Sequence, residues 1–175
     1  MEKIVVMSCT NRANSNTLKV SRIYEKIISS KKIPVSVLDF SILPHNIAFG
    51  ETFGNRSEGF RQLIHDFVST SPKFIFVIPE YNGSFPGILK LFLESVPPHE
   101  WADKDACLVG VAEGRAGNLR GMDHLTGILG YLKMHVYHNK LPISNIAQLL
   151  DSKGDLVNRQ QLKVCTEQVD GFLAF

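Results

Sequence analysis

Apolar positions along the chain follow two arrangements. Some form short continuous runs, as at Ile4–Met7, Phe74–Val77 and Ala106–Ala112. Others recur at helical spacing. Leu18, Ile23, Ile27 and Ile28 fall near one face, with Lys19, Arg22 and Lys26 largely elsewhere. Continuous runs predict strands buried on both sides, and periodic segments predict helices with one face inward. The chain then reads as a strand at 4–7, a helix from 16 to about 30 and a strand at 35–39 opened by Pro34. A loop follows at 41–56, rich in Gly, Pro, Asn and Ser. Next come a helix at about 57–69, with Phe60, Leu63, Ile64 and Phe67 inward, and a strand at 73–79. A helix spans 86 to about 96. Pro86 sits near its first turn, where a missing N–H costs nothing, and Pro97-Pro98 ends it. The remainder is a strand at 106–112, a Gly-rich loop, a helix from 118 to about 132, a strand at 134–137 and a last helix at 158–173.

Strict alternation of strand and helix implies a parallel sheet with helices on both faces. The expected fold class is therefore α/β: a three-layer, doubly wound, five-stranded parallel sheet, flavodoxin-like, in the order 2-1-3-4-5. No repeat, linker or low-complexity segment divides the chain, so residues 1–175 are expected to form one domain.

Composition narrows the classes. The formal charge is +2, with no Lys/Arg run, which gives no basis for nucleic-acid binding. The three cysteines, Cys9, Cys107 and Cys165, are odd in number and form no CxxC pair. That usage fits a reducing compartment, and a cytoplasmic location is expected. The apolar stretch near the start is too short for a secretory segment, with Glu2 and Lys3 before it. No run approaches the length of a membrane span. His135 and His138 would lie on opposite faces of a strand, which argues against a shared metal, and no metal site is expected.

In this fold a ligand binds beyond the carboxyl ends of the strands, at the switch point between the first and third. The loops there are Ser8–Thr17, Pro79–Gly87 and Glu113–Gly121, the least ordinary stretches of the sequence. The first, "SCTNRANSNT", carries the hydroxyls of Ser8, Thr10, Ser15 and Thr17, three asparagines including Asn16, and Arg12. Dense hydroxyls at a helix start suit an anion, and an Arg fork can clamp a phosphate. Ser15 or Asn16 would cap the helix in any case, but capping explains only one of these residues. GxxxxGK[ST] and GxGxxG are both absent. What remains is a mononucleotide monophosphate held without a metal, which fits flavin mononucleotide (FMN).

The motifs "SCTNRANSNT", "PEYNGSFPGILK" and, more loosely, "GRAGNLRG" resemble the NADPH-dependent FMN reductase family, which includes quinone, azo and chromate reductases. The resemblance runs over most of the chain and is weakest at 41–56 and after 140. It implies that Ser8, Thr10, Arg12, Ser15, Asn16 and Thr17 surround the FMN phosphate. It implies that Pro79, Glu80, Tyr81, Asn82, Gly83 and Ser84 wrap the isoalloxazine and ribityl region. Glu113, Gly114, Arg115 and Gly117 would line the far edge of the ring. No side chain is expected to be catalytic, because the cofactor carries the chemistry. Electrons would pass from NADPH or NADH through the flavin to a quinone, flavin, azo compound or similar small acceptor. The family also implies a homodimer or homotetramer.

The sequence departs from the family pattern at three places. Cys9 stands where family members usually carry Gly, which raises the expectation of a Cβ close to the phosphate and of a thiol open to oxidation. Leu89–Ser95 replaces the usual LKN-x-x-D-W, in a helix that often contributes to the family's dimer contact. Glu113-Gly-Arg-Ala-Gly117 replaces a Gly-Gly pair. Arg115 there either reaches the 2′-phosphate of NADPH or sits in water. Two other readings stand beside the reductase: a flavodoxin-type electron carrier, and a flavin-free binding protein of the same fold, which the Cys9 change keeps open. Trp101 is expected to pack over a helix end, and Phe40–Phe60 to offer a substrate-side lid.

Overall fold

The computed structural model describes residues 3–175; Met1 and Glu2 lie outside the described residues. Strands β1 (Ile4–Ser8), β2 (Val35–Asp39), β3 (Lys73–Pro79) and β4 (Asp105–Val111) are parallel, in the order β2-β1-β3-β4. Ile4 lies opposite Val35 on one side and Lys73 on the other, and Val77 lies opposite Val109. The expected strand order holds. The fifth position differs in detail. It holds two short strands, β5 (His135–Val136) on the first half of β4 and β6 (Leu141–Ile143) on the second. β6 reads as loop in the sequence because it is three residues long with Pro142 at its centre. Proline is tolerated there because an edge strand need not donate from both sides.

Helices α1 (Asn16–Ser30), α2 (Glu58–Ile64), α3 (Gly87–Ser95), α4 (Leu119–Tyr131), α5 (Ile146–Leu149) and α6 (Arg159–Leu173) complete the chain. Ser15, Ser57 and Asn158 cap α1, α2 and α6 through side-chain oxygens that accept from the N–H three residues on. After Ile64 the helical path widens to π pitch over His65–Ser69, so the single helix expected at 57–69 has two pitches. Residues 41–56 are not all irregular. Ile47–Glu51 form a π turn with Ile47 and Glu51 buried. The Glu51 carboxylate accepts from Ser57 N and Oγ, each at 2.8 Å, and Arg56 Nε donates to Ser95 O at 2.8 Å. These bonds pin the base of the segment between α2 and α3.

The sheet separates two cores, because side chains along a strand alternate between faces. Val5, Met7 and Cys9 join Phe74, Phe76 and the inward residues of α2, α3 and α4. Ile4 and Val6 join Ile75, Val77 and those of α1 and α6. Trp101 is fully buried against Phe74, Phe76 and Phe92, which bears out the packing expected of it. Among the described residues no helix is long and apolar enough to cross a membrane.

Candidate functional site

The three unusual loops meet at the carboxyl edge of β1, β3 and β4 around one open cavity of about 710 Å³. That volume lies in the range of small-molecule sites. Arg12, Ser15, Asn16 and Thr17 line it from the first loop, and Pro79, Glu80, Tyr81, Asn82 and Gly83 from the second. Glu113 and Gly114 line it from the third. The remaining sequence-expected residues stand outside its wall. Ser8 and Thr10 are buried behind the first loop, Ser84 lies on the side facing α4, Arg115 is exposed, and Gly117 is buried.

Each loop has a local reason for its shape. The first leads into α1, whose opening N–H groups have no partner within the helix. Ser15 Oγ takes the one from Leu18, at 3.1 Å. Asn16 does not cap. Its Nδ2 donates to Glu113 Oε1 at 2.9 Å, and its Oδ1 accepts from Lys19 Nζ at 3.3 Å. The first and third loops are therefore tied across the cavity mouth, and the Glu113 carboxylate faces the cavity.

The second loop is a two-residue hairpin. Tyr81 and Ser84 exchange backbone N–H···O bonds of 2.9 and 3.0 Å. Asn82 and Gly83 between them have φ of 51° and 75°. Two positive φ angles define the type I′ turn, for which Asn-Gly is the preferred pair. Gly83 is required there by its backbone angle; a Cβ would meet only Arg120 Nη1, at an ordinary contact of 3.9 Å. Thr10 Oγ1 and Tyr81 Oη lie 2.9 Å apart, joining the first and second loops. Ser84 Oγ lies 3.0 Å from His124 Nδ1 on α4, a hydrogen bond whose donor depends on the imidazole tautomer.

The third loop approaches β4 and β6 at van der Waals contact. A Cβ on Gly117 would come within 2.5 Å of Pro142 Cβ, and φ there is +58°. A Cβ on Gly110 would collide with Gly117 O.

The Cys9 side chain is directed away from this cavity. It continues the alternation of Val5 and Met7 into the α2/α3/α4 core, is 0% exposed, and sets its Sγ 3.4 Å from Met7 O. Burial pushes its thiol well above the ordinary range. Cys107 and Cys165 are also buried and free, with burial again raising both thiols. The crowding and the oxidation expected at Cys9 are therefore not features of this fold.

Several contributors were not singled out from the sequence as site residues, Ala13, Val111 and Ala112 on the cavity wall among them. Asn14, at φ 53°, lines the cavity from inside the first motif. Ile146, at the start of α5, closes its far wall. Asn118 stands behind the second loop; its signal, an Asn just before a helix, reads only as an N-cap. No group of His, Cys, Asp and Glu capable of holding a metal occurs among the described residues.

A doubly wound sheet with a polar cleft at its switch point defines a flavodoxin-like α/β protein. The chain belongs to the NADPH-dependent FMN reductase family, whose model matches residues 2–148, and it is an oxidoreductase. It is 32% identical over 150 residues to a probable NADPH:quinone oxidoreductase of Oryza sativa subsp. japonica, covering 79% of this chain and 72% of the relative. It is 25% identical over 175 residues to an NAD(P)H-dependent FMN reductase of Pseudomonas aeruginosa, covering 96% and 92%. Among solved structures, the flavoenzyme NAD(P)H:(acceptor) oxidoreductase FerB of Paracoccus denitrificans superimposes with a TM-score of 0.83 at 21% identity, covering 99% of this chain and 96% of that one. Family membership implies use of FMN and NAD(P)H.

Proposed function

We propose that the chain is an NAD(P)H-dependent reductase that holds FMN in the three-loop cavity and reduces a quinone or a similar small acceptor. The observation that carries this reading is the donor set at one end of the cavity. Arg12, Ser15 and Thr17 line the cavity where the first loop enters α1, a combination with the helix N-terminus that suits a phosphate monoester. With Cys9 turned into the core, nothing that the Gly-to-Cys change introduces fills that end, and the feature that kept a flavin-free reading open loses its force.

Bound FMN would supply the hydride chemistry, accepting from a nicotinamide and passing electrons on. The chain's own residues would bind, orient and tune. Arg12 and the α1 N-terminus would neutralise the phosphate. The Tyr81–Ser84 hairpin would set the edge of the ring site, with Thr10 holding Tyr81 in place. The Glu113 carboxylate, kept at the cavity by Asn16, would disfavour added negative charge and so lower the reduction potential. Quinone is the acceptor class favoured by the likeness to the rice NADPH:quinone oxidoreductase.

A second copy of the chain would complete the assembly. An apolar groove of about 600 Å³ runs between α3 and α4, flanked by Phe53 and Tyr131 at 90% and 86% exposure. Large exposed aromatics beside an apolar groove mark a contact surface. Lys90 and Glu94, paired along α3, put both charge signs on its rim, as a twofold contact needs. The test of the site is titration of ligand-free protein with FMN, followed by quenching of flavin fluorescence. Saturable one-to-one uptake is expected, with binding lost in Arg12→Ala combined with Thr17→Ala. Uptake that the double variant leaves unchanged would refute the assignment.

A further inference from the structure

Asn118, at the N-cap of α4, is fully buried and has φ of +63°. An N-cap Asn ordinarily accepts a hydrogen bond from an N–H two or three residues on, and this one does not. Its Nδ2 instead donates to two carbonyls forty and thirty-nine residues away in sequence, Ile78 O and Pro79 O, each at 3.0 Å. Both partners only accept, so the amide orientation is fixed: Nδ2 faces β3, and Oδ1 faces the other way. Oδ1 is buried with no hydrogen-bond partner among the described residues. Gly121 makes room for it. A Cβ at that position would collide with Oδ1 and come within 2.8 Å of the Ser84 carbonyl carbon.

A left-handed backbone, a forgone cap and a solitary buried carbonyl oxygen each disfavour the native state, and all three fall on one residue. Such strain persists where the surroundings over-determine it, and it concentrates at functional sites. What the residue gains in return is the tie to β3. Ile78 and Pro79 are the last residues before the Tyr81–Ser84 hairpin. The hairpin is internally closed by its two backbone bonds, and at its junction with β3 the Glu80 N–H also donates to Val111 O at 3.0 Å. Thr10 holds its tip at Tyr81, and Asn118 holds its root.

We propose that Asn118 is a positioning residue that fixes the Pro79–Gly83 loop against the cavity and thereby sets flavin affinity. The inference rests on the reductase reading above and adds to it a residue that touches neither cavity nor substrate. Asn118→Gly is the informative change, because glycine keeps the left-handed angle without strain and loses only the amide.

In ligand-free protein, hydrogen exchange at the Glu80, Tyr81 and Ser84 amides is expected to quicken at least tenfold in Asn118→Gly, with far-ultraviolet circular dichroism preserved. The FMN dissociation constant is expected to rise at least tenfold, with a changed visible dichroism of the bound flavin. Unchanged loop exchange would overturn the proposal. So would faster exchange with a dissociation constant within twofold of wild type, since the amide would then serve the fold alone. If Asn118→Gly fails to fold, Asn118→Asp keeps the side-chain shape and tolerates the left-handed angle while replacing the Nδ2 donor with an acceptor, and the same two readouts decide. A wild type that takes up no FMN would overturn the reductase reading instead. The exchange comparison needs no ligand, so the two failures are distinguishable.

Discussion

Replacing Cys9 by the glycine usual in the family separates two accounts of that position. If the thiol stood over the phosphate end of the cavity, Cys9→Gly would improve flavin binding. The structure directs it into the core with Val5 and Met7, fully buried. Removing the Cβ and Sγ then forfeits roughly 1.5 kcal/mol of burial. The glycine adds about 0.5–1 kcal/mol of backbone entropy cost. The sum, about 2–2.5 kcal/mol, should lower Tm by about 4–10 °C in a chain of this size. FMN affinity should stay within about twofold, under ~0.5 kcal/mol. The assays are a thermal melt of ligand-free protein and a fluorescence titration with FMN. Tenfold tighter binding with an unchanged Tm would refute the reasoning, because it would put the thiol in the site and not in the core.

Other outcomes follow from the same geometry. Gly117→Ala, which meets Pro142 at 2.5 Å with φ at +58°, should destabilise by about 3 kcal/mol or more and release the third loop, read as a fallen Tm and lost FMN uptake. Tyr81→Phe removes the 2.9 Å bond to Thr10, worth about 1 kcal/mol, and should lower Tm by about 2–4 °C and weaken FMN binding by up to about fivefold. Glu113→Gln should raise the two-electron midpoint potential of bound FMN by about 20 mV, the equivalent of roughly 1 kcal/mol, in a reductive titration; no change would remove Glu113 from the tuning role. Because burial raises the thiols of Cys9, Cys107 and Cys165, folded protein at pH 8 should resist iodoacetamide until it is unfolded, as read by mass spectrometry.

The elements that carry the sheet were legible because their residues are buried on both sides. The runs Ile4–Met7, Phe74–Val77 and Ala106–Val111 can be little else in a chain with intervening helical periods. β6 was not legible. Three residues around a proline satisfy no strand pattern alone and become a strand only because the exposed edge of β4 lies beside them. The π turn at Ile47–Glu51 was hidden for a similar reason, since it depends on the long-range bonds of Glu51 to Ser57. At the site, the Asn82-Gly83 turn was readable from its residue pair. The direction of Cys9 was also available, because alternation from Val5 and Met7 assigns it to the core face. Asn118 was not, since its partners lie forty residues back and its sequence context matches an ordinary cap.

The central claim is that this cavity holds a flavin which accepts electrons from a reduced nicotinamide. The most direct measurement is the visible spectrum of FMN-loaded protein before and after addition of NADPH, and separately NADH, without oxygen. The account predicts flavin bands that bleach rapidly with a reduced nicotinamide and return when a quinone is added. Bands that bleach with dithionite but with neither nicotinamide would contradict it and leave an electron carrier in its place.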